Sequence, residues 1–106
     1  MAEIDINLIE NEGRIDALKS KKYDAFTKFM HINRYEIAKN IIEKKTSENN
    51  LVIILDLGCG SGYGSTLLSG KNKIYIGSDI SVGALKYAKR VYKIENLIAA
   101  DCTRLP

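Results

Sequence analysis

Residues 51–64 read LVIILDLGCGSGYG, and few folds admit such a stretch. Leu51–Leu55 is a continuous apolar, largely β-branched run without polar alternation. Such a run reads as a strand covered on both faces, as in a parallel sheet. It passes through Asp56 into a loop with glycines at 58, 60, 62 and 64. A glycine-rich turn from strand to helix lets a ligand approach the backbone closely, and in α/β proteins this turn faces nucleotides. No Gly-Lys-Ser/Thr follows, so the loop is not a P-loop.

The flanking sequence extends the pattern. Residues 1–13 are acidic, end in Gly13 and read as a loosely held arm. A helix is expected from about Tyr23 to His31, burying Phe26, Phe29 and Met30. A second helix is expected to start at an Asn33 cap with Glu36 three residues on, and to bury Ile37, Ala38, Ile41 and Ile42. Ser47–Asn50 reads as a turn. After the glycine loop, a short helix over Tyr63–Ser69 ends at Gly70. Lys73–Ser78 reads as a strand ending at Asp79. Ser81 caps a helix running to about Tyr92, and Asn96–Ala100 reads as a third strand ending at Asp101. The order is two helices and then β-α-β-α-β, which predicts an α/β, Rossmann-like parallel sheet of three strands in the order 3-2-1. Two regions are expected: an arm and helix over residues 1–30, and a sheet-bearing unit over 31–106.

Three carboxylates then fall at the three strand ends, Asp56, Asp79 and Asp101. Ligands of open parallel sheets sit beyond these ends. Asp79 stands about 20 residues beyond Gly58, where an acid accepts hydrogen bonds from ribose hydroxyls. An adenosine-type nucleoside is therefore expected. Its 5′ substituent is constrained by Asp56, two residues before the first glycine. A carboxylate there repels a pyrophosphate and suits a cationic group such as an ammonium or sulfonium. The spacing Gly-x-Gly-x-Gly also departs from the Gly-x-Gly-x-x-Gly of dinucleotide sites. An NAD(P)-binding oxidoreductase module remains the alternative enzyme class, and a remnant or interaction domain without turnover the alternative to any enzyme.

VIILDLGCGSGYGSTLLS resembles the first motif of class I S-adenosyl-L-methionine (SAM)-dependent methyltransferases. IGSDIS with ALKYAKR resembles their second strand and following helix, and LIAADCTRLP their third strand with its acid. HINRYEIAKNIIEKK is similar to the helix that precedes the first strand in a branch acting on small molecules. The resemblance implies SAM as cofactor and a small-molecule methyl acceptor. It implies that Gly58, Gly60 and Gly62 cradle the methionine part, with the Gly58 carbonyl and Asp56 serving its ammonium. Asp79 would hold the ribose, Ile80 would pack on the adenine, and Asp101 and the Cys102 amide would meet its amino group and a ring nitrogen. Arg34 or Tyr35 would cover the methionine carboxylate; their plain readings are an exposed arginine and a core tyrosine. The resemblance also implies a seven-stranded sheet of order 3-2-1-4-5-7-6, of which this sequence supplies three strands. The chain therefore reads as the N-terminal part of such a domain, without the acceptor half, inactive alone and able to self-associate through the bare edge of its first strand.

Composition narrows the remaining classes. A net charge of +3 is too small to argue for nucleic acid, and Lys86, Lys89, Arg90 and Lys93 read as a solvated helix face. No apolar run approaches membrane-span length. Two cysteines, Cys59 and Cys102, without a CxxC or a His/Cys cluster, predict reduced thiols, no metal site and a cytoplasmic setting. Cys59 reads as a small buried filler, and the lone His31 as a structural or surface residue.

Overall fold

The computed structural model describes residues 2–47 and 49–105. Seven elements follow one another: α1 (Ala2–Asn11), α2 (Ala25–Lys45), β1 (Val52–Leu57), α3 (Ser65–Leu68), β2 (Lys73–Asp79), α4 (Val82–Tyr92) and β3 (Leu97–Ala99). The strands form a parallel sheet in the order β1-β2-β3, which is the expected 3-2-1 read from the other side. Val52 pairs with Lys73 and Leu57 with Ser78, while Gly77 pairs with Leu97 and Asp79 with Ala99. This register brings the carboxyl ends of all three strands to one edge, as the β-α-β-α-β order requires.

Helices α2, α3 and α4 cover one face of that sheet. Ile54, Leu68, Tyr75, Ala88 and Ile94 form its core, with Tyr35, Ala38 and Ile42 of α2 packed against them. Each large aliphatic side chain withdrawn from water contributes about 1.5–3 kcal/mol, so this layer is the main source of cohesion. The opposite face is open. Ile53 is 64% exposed, and Leu55, Leu57, Ile74 and Ile98 are 38–52% exposed. The expectation that LVIIL is covered on both faces is therefore not met among the described residues. The run lacks alternation because its outward positions are also apolar, although only Ile54 is buried within β1.

The N-terminal third departs further from expectation. The acidic arm is helix α1, docked on α4 and anchored by Ile9, which is 1% exposed. A helix of this length is marginal in water, so docking is what holds it. Nor does α2 break at Asn33. One helix runs from Ala25 to Lys45, and Asp24 caps it by accepting from the Thr27 N–H at 2.7 Å. Phe26, Phe29 and Met30 are exposed rather than buried, as are Ile37 and Ile41 of the second expected stripe. Nothing among the described residues lies over that side of α2. The turn after α2 is present, with the Asn50 N–H donating to the Ser47 carbonyl at 3.2 Å; Glu48 lies outside the described residues. Helix α3 is shorter than expected, with four residues. Ser81 caps α4 as expected, its hydroxyl accepting from the Ala84 N–H at 3.1 Å.

Between α1 and α2, residues 14–20 fold over α4 and the loop that follows β1. Asp16 is fully buried and organises this segment. Its carboxylate accepts from the Tyr87 and Tyr92 hydroxyls at 2.6 Å each and from the Leu18 and Lys19 N–H groups at 3.0 and 3.1 Å. Its own N–H donates to the Ser20 hydroxyl at 3.0 Å.

Candidate functional site

The carboxyl end of β1 turns sharply at Gly58, whose N–H donates to the Ser78 carbonyl at 2.7 Å; the Cys59 N–H shares that acceptor at 2.8 Å. These bonds pin the glycine loop to the last residues of β2. Two glycines have identifiable tasks. Gly62 has φ +85°, and a Cβ there would lie 2.7 Å from both the Ala88 Cβ and the Ile94 Cδ1, so close packing of loop on α4 demands glycine. Gly58 has φ +76°, and a Cβ there would meet nothing within 4 Å. That open space lies between two cavities, and Gly58 lines both.

The first cavity, about 170 Å³, is bounded by Arg14, Asp79, Ile80, Asp101 and Cys102. Asp79 is its most constrained group, 5% exposed. The Gly60 N–H donates to its Oδ2 at 2.9 Å, and the Ser81 N–H donates to Oδ1 at 2.9 Å. The Arg14 guanidinium completes an ion pair with Oδ1 at 2.8 Å. Burial alone would raise the Asp79 pKa, but the bonds from Arg14, Ser81 and Gly60 outweigh it and hold the carboxyl below its ordinary value. Asp79 is thus a firmly ionised acceptor. Ile80 is 64% exposed at the cavity rim. Asp101 lies two residues past β3, where its Oδ1 accepts from the Thr103 N–H at 2.9 Å and the Thr103 hydroxyl at 2.7 Å. Those bonds lower its pKa. Cys102 is exposed beside it.

The second cavity, about 520 Å³, lies against the other side of the loop and is lined by His31, Arg34, Tyr35, Asp56 and Tyr63, among others. Asp56 Oδ2 accepts from the Tyr35 hydroxyl at 2.8 Å and the Tyr75 hydroxyl at 2.5 Å. Burial raises the Asp56 pKa, and the two tyrosine bonds oppose the rise. Tyr35 also packs edge-on against Tyr63, and burial pushes the Tyr63 hydroxyl up to about 12. His31 Nδ1 lies 3.2 Å from the Tyr63 hydroxyl, and burial lowers the imidazole pKa. Arg34 is exposed at the rim. A cavity of similar size, about 540 Å³, opens by Glu43, Asn50, Lys71 and Lys73. It lies at the amino ends of the strands, away from where parallel sheets present ligands.

The structure thus brings Asp56, Gly58, Gly60, Gly62, Asp79, Ile80, Asp101 and Cys102 to one edge, with Arg34 and Tyr35 above the second cavity. It adds Arg14, which no motif marks because its partner lies 65 residues away. Cys59 is 2% exposed, and burial followed by the charges of Asp56 and Asp79 pushes its thiol up to about 12. In a thiol-labelling assay on the native chain, we expect Cys102 to react at once and Cys59 only on unfolding; two fast thiols would contradict the packing. Among the described residues no group of three His, Cys, Asp or Glu side chains is placed to hold a metal, and no helix is long and apolar enough to cross a membrane.

No curated protein matches the chain. A family model does, beginning inside β1 and excluding α1 and α2. Residues 55–106, which carry the glycine loop and all three strand-end acids, match the family model described as a methyltransferase domain, in keeping with a class I SAM-dependent fold.

Proposed function

We propose that the strand-end site binds SAM and that the protein is a methyltransferase acting on a small-molecule acceptor. The observation that carries this reading is the placement of Gly58 between two cavities of different chemistry. One offers an ionised acceptor and an apolar rim, as a nucleoside needs. The other offers a carboxylate and tyrosine hydroxyls, as an amino-acid chain needs. The residues fit the cofactor: a Cβ at Gly58 would meet nothing, which leaves room for a ligand to lie on the loop.

In this reading Asp79 accepts from the ribose hydroxyls, Ile80 lies on the adenine, and Asp101 and the Cys102 N–H address its polar edge. Gly60 and Gly62 shape the loop, and the Gly58 carbonyl and Asp56 serve the methionine ammonium. Tyr35 is committed to Asp56, so it positions that carboxylate, and Arg34 at the rim is the group for the methionine carboxylate. When bound, SAM supplies a methyl group on a sulfonium, activated for transfer to a nucleophile. The protein's part is to orient that group, and the negative charge of Asp56 favours a cationic ligand over a pyrophosphate.

Calorimetric titration of the full chain with SAM and with NAD tests the reading. Binding of SAM with at least tenfold preference over NAD is expected, equivalent to about 1.4 kcal/mol. Binding of NAD in preference to SAM would sink the proposal and favour the oxidoreductase class.

A further inference from the structure

The geometry points to a role for Arg14 that rests on the cofactor reading above: we propose that Arg14 is an internal competitor for the ribose site. Its guanidinium occupies Asp79 Oδ1, and an adenosine ligand must turn it away in order to bind.

The argument is a count of acceptor positions. An ionised carboxylate offers about four lone-pair sites. On Asp79 three are filled, by Arg14, the Ser81 N–H and the Gly60 N–H. A ribose diol brings two donors, and only one site remains. The Gly60 and Ser81 donors are backbone groups fixed by the glycine loop and the start of α4. Arg14 is the donor carried on a rotatable side chain, and it lies on the wall of the cavity that the nucleoside would fill.

The surrounding bonds let that side chain move alone. The Arg14 N–H donates to the Ile9 carbonyl at 2.9 Å, and the Ile15 carbonyl accepts from the buried Ser61 hydroxyl at 2.8 Å. The Asp16 network holds the next residues. Release of Asp79 therefore needs rotation about the Arg14 side chain, without undocking of the segment. Arg14 Nη1 already donates to the Glu12 carbonyl at 3.2 Å, a second contact separate from the Nη2 bond to Asp79. Arg14 is 30% exposed, so water takes over the displaced donors and the competition stays modest. A ligand that binds only the open arrangement has its apparent affinity reduced by the fraction of molecules in that arrangement.

The test measures SAM and adenosine affinity by calorimetry on the full chain and on Arg14→Met and Arg14→Lys. Arg14→Met is expected to tighten both ligands by about three- to tenfold, with Arg14→Lys in between. Adenosine is uncharged, so added salt should tighten its binding to the wild-type chain by screening the ion pair, and leave Arg14→Met unchanged. The salt response of the wild-type chain and of Arg14→Lys decides the question even if Arg14→Met folds poorly. Equal or weaker adenosine binding by Arg14→Met, with no salt response in the wild type, would overturn the competitor role while leaving the cofactor reading in place. Absence of SAM and adenosine binding in wild type and variants alike would overturn both.

Discussion

Asp79→Ala is expected to weaken SAM binding by at least about 100-fold while the chain stays folded. The carboxylate is the one ionised, nearly buried acceptor in the nucleoside cavity, and each hydrogen bond to a charged group contributes about 1.5–3 kcal/mol. Losing two such bonds exceeds a hundredfold on the scale of about 1.4 kcal/mol per decade. The structural cost is smaller. Arg14 is partly exposed, so its charge can be solvated once its partner is gone. The Gly60 and Ser81 N–H groups lose an acceptor, but the loop keeps its bonds to the Ser78 carbonyl and Ser81 keeps its cap on α4. Calorimetry paired with thermal unfolding separates the two effects. Affinity within about fivefold of wild type would remove Asp79 from the site.

The opposite pattern is expected at Asp16. Asp16→Ala should destabilise the chain by about 3–5 kcal/mol, because a fully buried carboxylate with several donors disappears at once. The Tyr92 hydroxyl and the Leu18 N–H lose their acceptor, the Lys19 N–H keeps only the Asp16 main-chain carbonyl at 3.1 Å, and Tyr87 loses this acceptor. A domain of this size shifts its midpoint by about 4–8 °C per kcal/mol, so a fall of more than about 10 °C in thermal unfolding is expected. Asp16→Asn keeps one acceptor oxygen and should fall by less. A midpoint within about 3 °C of wild type for Asp16→Ala would show that the segment over α4 does not depend on this network.

What could be read in advance, and what could not, follows from the range of each interaction. The Ser81 cap, the end of β2 at Asp79 and the parallel order all rest on patterns within a few residues or on strand–helix alternation. The α2 boundary was ambiguous for a local reason. Asn33 with Glu36 looks like a helix start, but the same residues are tolerated within a helix, and Asp24 makes the observed cap with Thr27. The apolar period of α2 shows a stripe without showing what lies over it, so it predicts for Phe26 and Phe29 a core that the described residues do not form there. Arg14 and Asp16 were illegible for a different reason. Their partners lie 65 to 76 residues away, and no spacing marks a bond of that range. The consequence for the site is specific: its motif residues were visible, and the residue that now occupies its central carboxylate was not.

The open face of the sheet carries its own consequence. Ile53, Leu55, Leu57, Ile74 and Ile98 are only partly covered by the described residues, so packing within this part of the chain places less demand on their identity than on the covered face. Polar substitutions there should be tolerated in a screen that reads folding alone, in contrast to Ile54 and Tyr75 on the covered face. If a broad set of natural variants nonetheless kept those five positions apolar, the constraint would have to come from something outside the described residues. A mutational tolerance map of β1 and β2 would therefore separate, residue by residue, what this unit needs in order to fold from what it needs in order to be covered.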